Sequence, residues 1–119
     1  MIMRFILALS ALGLLVTACT TTSDASIRRH VVGVWSSDSQ PGKVGELKSD
    51  GTVVVRINGA ETARGKWLVS DGYLIEGPAE DWSQVNPSLI ETNKVLSISG
   101  DKAVLLSIDG HTQVTLLRR

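Results

Sequence analysis

The sequence is poor in the residue types that most often carry chemistry. Its 119 residues include one cysteine, two histidines and three prolines, and its aromatics are three tryptophans, one tyrosine and one phenylalanine. A lone cysteine forms no intramolecular disulfide, so stability must come from packing and backbone pairing. Twelve Lys and Arg balance twelve Asp and Glu. That balance removes the basic face a nucleic-acid partner requires. Stacking platforms for sugars or single strands need several rings on one exposed face, and too few rings are present. His30 and His111 lie in different parts of the chain. No HExxH spacing and no serine nucleophile motif accompany them, and Asp109-Gly110-His111 is not a calcium loop. Glu46, Glu61, Glu76, Glu80 and Asp81 cannot be paired into an acid/base couple by spacing alone. The chain therefore reads as non-enzymatic, with no metal site and no cofactor. The apolar run from Phe5 to Val16 covers about a dozen residues, too short for the roughly 20 that span a bilayer.

That run has a use other than spanning. Arg4 precedes it, and Val16-Thr17-Ala18-Cys19 follows it. A basic start, a short apolar stretch and small residues before a cleavage point make a secretory signal peptide. With a cysteine just past the cleavage point, the segment resembles the lipobox of bacterial lipoproteins. The resemblance implies cleavage before Cys19, a diacylglycerol on its thiol and a further acyl chain on the new amino terminus. It divides the chain into a signal peptide over 1–18, a lipidated tether over 19–25 and a domain over 26–119. Such anchors are effectively permanent when two or three chains are attached. Thr20, in the place where Asp would favour the inner membrane, implies an outer-membrane lipoprotein facing the periplasm. The cysteine is then acylated and no longer a nucleophile.

The mature part, about 100 residues, is enough for one modest core. Asp24 or Ser26 is placed to cap a short helical stretch reaching Val31. Arg28 and Arg29 on that stretch are either solvated or near anionic head groups. Beyond it, turn signals recur: Ser49-Asp50-Gly51, Asn58-Gly59, Ser70-Asp71-Gly72, Ser99-Gly100-Asp101 and Asp109-Gly110. Short runs rich in β-branched residues alternate between them. Eight strands are predicted, at Val32–Ser36, Val44–Ser49, Thr52–Asn58, Thr62–Val69, Tyr73–Glu76, Lys94–Ser99, Ala103–Ile108 and Thr112–Arg118. Alternation places Val53, Val55 and Ile57 inward on the third. It places Ala63, Gly65, Trp67 and Val69 inward on the fourth, Val104, Leu106 and Ile108 on the seventh, and Val114 and Leu116 on the eighth. The fold class is all-β. Its architecture is a small antiparallel up-and-down barrel of about eight strands behind a short N-terminal helical turn. A two-sheet β-sandwich is the alternative.

Gly33-Val34-Trp35, the turn Asp50-Gly51-Thr52, Gly65-Lys66-Trp67 and the ending Arg118-Arg119 follow one another in this order. The order is similar to that of small bacterial lipocalin-like domains, and the likeness extends over roughly Val32 to Arg119. It implies that an arginine near the C-terminus packs over the first-strand tryptophan, with Arg118 the first candidate and Arg119 the second. Gly33, Trp35, Gly65, Trp67 and Arg118 are then structural residues, glycine allowing close approach and tryptophan filling the barrel floor. Gly77 to Ser88 interrupts the strands. Pro78, Glu80 and Asp81 suit one helical turn there, and Trp82 is either a plug over a barrel mouth or an exposed recognition element. Trp82, Trp67 and Tyr73 are the candidate contacts for a ligand or partner.

Two functions remain. One is a membrane-anchored, non-enzymatic binding module that holds a small hydrophobic ligand in an apolar barrel cavity. The other is an anchored interaction domain with a solid core, contacting an envelope protein through an exposed apolar patch or a strand edge.

Overall fold

The computed structural model describes residues 23–119. Cys19, the signal segment 1–18 and the first part of the tether lie outside them. The chain enters through a helix, α1 (Asp24–Val31), and continues as eight strands. These are β1 (Gly33–Ser37), β2 (Gln40–Leu47), β3 (Thr52–Ile57), β4 (Ala60–Ser70), β5 (Tyr73–Pro78), β6 (Glu91–Ile98), β7 (Lys102–Ser107) and β8 (Gln113–Arg118). Each strand pairs antiparallel with the next, and β8 pairs with β1, closing an eight-stranded barrel. The closing register puts Trp35 opposite Arg118 and Ser37 opposite Leu116. Closure gives each strand a paired neighbour on both sides and leaves no edge strand among the described strands.

Local chemistry fixes the corners. Asn58 and Asp71 both adopt left-handed φ, at 51° and 54°, each followed by a glycine of positive φ. That is the two-residue turn whose twist matches flanking antiparallel strands. Register shifts in β1 between Ser36 and Ser37, in β3 between Val55 and Arg56, and in β6 between Val95 and Ser97 add local curvature.

Helix α1 closes one end. Its start is capped by Ser23, whose hydroxyl accepts from the Ser26 amide at 3.1 Å. Asp24 is therefore free for another role. Its carboxylate accepts from the amides of Asp71 and Gly72, at 2.9 and 2.8 Å, and ties the helix to the β4–β5 turn. The tether expected to reach Ala25 is thus helical from Asp24 onward. Ile27 and Val31 point into the barrel and join Trp35, Leu47, Val53, Trp67, Val69, Leu74, Ala103 and Leu105 in one core. The indole N–H groups of Trp35 and Trp67 donate to the Val31 and Lys48 carbonyls, at 2.8 and 2.9 Å. Both rings are therefore buried without an unpaired donor.

Arg118 locks this end. Its guanidinium lies 4.2 Å from the Trp35 ring centre and donates to the carbonyls of Val32, His30 and Gly100. The His30 and Val32 carbonyls sit at the C-terminal end of α1, where a cation offsets the helix dipole and fills orphan acceptors. Gly33 makes the approach possible. Its φ is 144°, and a Cβ there would stand 2.3 Å from the Arg118 guanidinium. Gly65 serves the second Gly-x-Trp segment in the same way, because a Cβ would meet the Gly77 carbonyl oxygen at 2.2 Å. Arg119 turns to the outer face and donates to the Ser36 hydroxyl at 2.6 Å.

Three expectations change. Strand β2 starts at Gln40 and β6 at Glu91, each three or four residues before the predicted start. The phase of β7 is reversed: Ala103 and Leu105 are buried, and Ile108 is 72% exposed beyond the strand end. The run Ala103-Val104-Leu105-Leu106 is apolar on both faces, so it carries no polar residue to set which face turns inward. The single helical turn expected near Pro78 is instead two one-turn 3-10 helices, Trp82–Gln84 and Pro87–Leu89. Asp81 and Asn86 cap them, and Pro78 ends β5.

Candidate functional site

The barrel is filled at the α1 end and hollow at the other. A cavity of about 460 Å³ opens at the end formed by the β1–β2, β3–β4, β5–β6 and β7–β8 connections. Its lining changes along the strands. On β2 the inward positions run Leu47, Gly45, Lys43 from floor to mouth; on β1 they run Trp35, Ser37. On β5 and β6 they run from Leu74 to Glu76 and from Val95 through Asn93 to Glu91. On β3 and β8 the wall stays apolar, with Val55, Val114 and Leu116. The cavity is thus half apolar and half polar, not apolar throughout as the sequence led one to expect.

The polar half is built by register. Glu76 and Glu91 are direct cross-strand partners, and Leu74 pairs with Asn93 one step deeper. The two carboxylates therefore share one face of adjacent strands, where like charges repel. Glu76 is recessed in the wall. Burial first, and then the Glu91 carboxylate, push its carboxyl up to about 7, with Lys43 pulling weakly the other way. The inward neighbour of Glu76 on β4 is Trp67, which is uncharged. In the strand order Lys43 stands across the lumen, on β2. Among the described residues the ion pairs are Arg56–Glu46 and Arg64–Glu61, both on the outer surface. The cavity carboxylates have none. Asn93 is only 8% exposed, and its amide donates weakly to Glu91 at 3.4 Å.

None of the three contact residues proposed from sequence lines this cavity. Trp67 lies on the core side of β4 at the helix end, where it also floors a shallow surface cleft of about 330 Å³ with Arg28 and Arg29. Tyr73 alternates with inward Leu74 and so faces outward. Trp82 does not plug the mouth. Its indole lies against Gly77 on the outer wall, where a Cβ would meet it at 2.9 Å. Its N–H donates to the Pro78 carbonyl at 2.7 Å, and the Lys66 ammonium sits 5.2 Å from the ring centre.

Other clusters are local. His30 bonds the Ser26 carbonyl at the helix end, whereas His111 lies in the β7–β8 hairpin at the mouth end. Asp109 in that hairpin accepts from the Ser107 hydroxyl and the His111 amide, which hold its carboxyl below the usual range. Among the described residues no three His, Cys, Asp or Glu side chains gather to hold a metal ion, and no helix is long and apolar enough to cross a membrane.

Sequence reasoning missed Glu91, Asn93 and Lys43. The predicted β6 began at Lys94 and excluded the first two, and the predicted β2 began at Val44 and excluded the third. The available signal was alternation: Glu76 stands two residues from core residue Leu74. Scans against family models, curated proteins and solved structures find no match to the chain.

Proposed function

We propose that this chain is an anchored, non-enzymatic binding module whose barrel holds one small molecule. The observation that supports it is the hollow, open interior behind a filled floor. A volume of about 460 Å³ lies within the usual range of small-ligand pockets, roughly 300–1,000 Å³. A domain this small gains stability from filling its core, yet half of this lumen carries polar side chains and stays open. The likeness to lipocalin-like domains points the same way, through the barrel, the Gly-x-Trp strand and Arg118 over Trp35.

Cys19 supplies the anchor in this reading, through acyl chains in the outer membrane facing the periplasm. Four Cα–Cα steps join it to Ser23, a reach of at most about 14 Å. Since α1 closes the barrel floor, that short reach turns the floor toward the bilayer and the mouth away from it. Arg28 and Arg29 then stand on the membrane side. Cys19→Ala should abolish incorporation of labelled palmitate into the protein. A variant that still incorporates it like the wild type would contradict the anchor.

The envelope-partner reading has one observation in its favour. Ile57, Leu89 and Ile108 are exposed apolar side chains in strand ends and connections at the mouth end. Native mass spectrometry of the protein taken from its own membrane separates the two readings. A retained small molecule supports the binding module. An empty barrel with a co-purifying protein supports the interaction domain.

A further inference from the structure

On the β5–β6 side the cavity wall is rich in acceptors, while Ser37, Ser39, Gln40 and Lys43 stand on the β1–β2 side. Glu76 and Glu91 face each other across β5 and β6 without an ion pair among the described residues. Asn93 sits two residues from Glu91 on the same face, more than nine-tenths buried. Its Nδ2 is turned to Glu91, and its Oδ1 has no hydrogen-bond partner among the described residues. A buried carbonyl oxygen left open at a cavity wall is costly unless something donates to it. On either side of this wall the lining is apolar, with Val55 on β3, Val114 and Leu116 on β8, and Trp35 at the floor. Lys43 is the one cationic side chain in the lining and is outnumbered two to one.

We propose that the cavity selects a ligand carrying a protonated amine, its ammonium held by Glu76, Glu91 and the Asn93 carbonyl and its apolar body laid on Trp35, Val55, Val114 and Leu116. The inference rests on the binding-module reading and narrows it to a ligand class. A primary ammonium has three donors and no acceptor, and three acceptors converge on this stretch of wall. Charge-assisted bonds of this kind are the strong ones. A carboxylate ligand would meet two like charges. A neutral alcohol could satisfy one acceptor and would leave both carboxylates without a counter-ion. The amine also takes the place of the proton that Glu76 otherwise keeps up to about pH 7. Binding should therefore release that proton and strengthen as pH rises from 6 to 8.

The full chain in phosphatidylcholine nanodiscs can be titrated with octylamine, octanol and octanoate, using tryptophan fluorescence with empty nanodiscs as reference. At pH 8 octylamine should bind about tenfold more tightly than octanol, the step expected for one charge-assisted contact. Octanoate should bind most weakly. The double variant Glu76→Gln/Glu91→Gln should bring octylamine down to the octanol level with unchanged circular dichroism. If that variant does not fold, Glu91→Gln alone, at an exposed position, should still weaken octylamine and leave octanol unaffected. Equal binding of octylamine and octanol, or octylamine binding that ignores both variants, overturns amine selectivity while leaving the cavity a binding site. No saturable binding by any of the three probes removes both.

Discussion

Glu76→Gln should stabilise the protein at pH 8 by on the order of 2–3 kcal/mol and change little at pH 4.5. The folded barrel raises this carboxyl from 4.5 to about 7, and each unit corresponds to about 1.4 kcal/mol between the two protonation states. Because the folded-state value is the higher one, the folded protein holds the proton more tightly than the unfolded chain. The stabilising contribution is fully present below pH 4.5 and is lost as pH rises through 7. Water in the open cavity trims the full figure. Glutamine keeps the neutral shape and has no proton to lose. Urea unfolding of both proteins at the two pH values reads the effect, and a difference independent of pH would contradict it. Glu91→Gln should shrink the same pH dependence, since it removes the neighbouring charge.

The second large effect lies at the opposite end of the barrel. Trp35→Ala should cost about 3–5 kcal/mol, the usual range for deleting a buried indole. Arg118→Ala should cost about 2–4 kcal/mol, because it strips the donors from three backbone carbonyls and the cation from the ring. The two side chains share one site, so their costs should not add. A double-mutant cycle should give a coupling of about 1–2 kcal/mol. Additive costs would mean that Arg118 acts only on the helix end. Arg119, bonded to Ser36 on the outer face, is the control and should be several-fold less sensitive.

The sequence made one end of this barrel easier to read than the other. Turn dipeptides such as Asn58-Gly59 and Asp71-Gly72 carry their own backbone geometry, so the strand count and the antiparallel order follow from short stretches of sequence. Trp35, Gly33, Gly65 and Arg118 act through sterics and a single ring, which local motifs express well. The cavity was harder. Lys43, Glu91 and Asn93 face inward, where alternation normally predicts apolar side chains, so polar residues at those positions read as loop and shortened β2 and β6. In β7 the opposite problem arose, since apolar residues on both faces erased the phase. Trp82 read as a plug over the mouth or an exposed recognition element, because a tryptophan in a loop needs a partner. Its partner is the bare backbone at Gly77 on the outer wall, a contact set by the path of the insert and not by any local pattern. For the strands the missing information was cross-strand register, which depends on residues far apart in sequence.

The central claim is that the lumen holds a small molecule, and Gly45 offers the most direct test of it. Gly45 faces the cavity from β2, and a Cβ there meets nothing within 4 Å. Gly45→Phe therefore starts its side chain in open space and should place a ring inside the cavity, in the way of a ligand. Native mass spectrometry of wild type and variant, each taken from its own membrane, should give a wild type that carries a small molecule and a folded variant that carries none. The same molecule retained by both proteins would contradict the account.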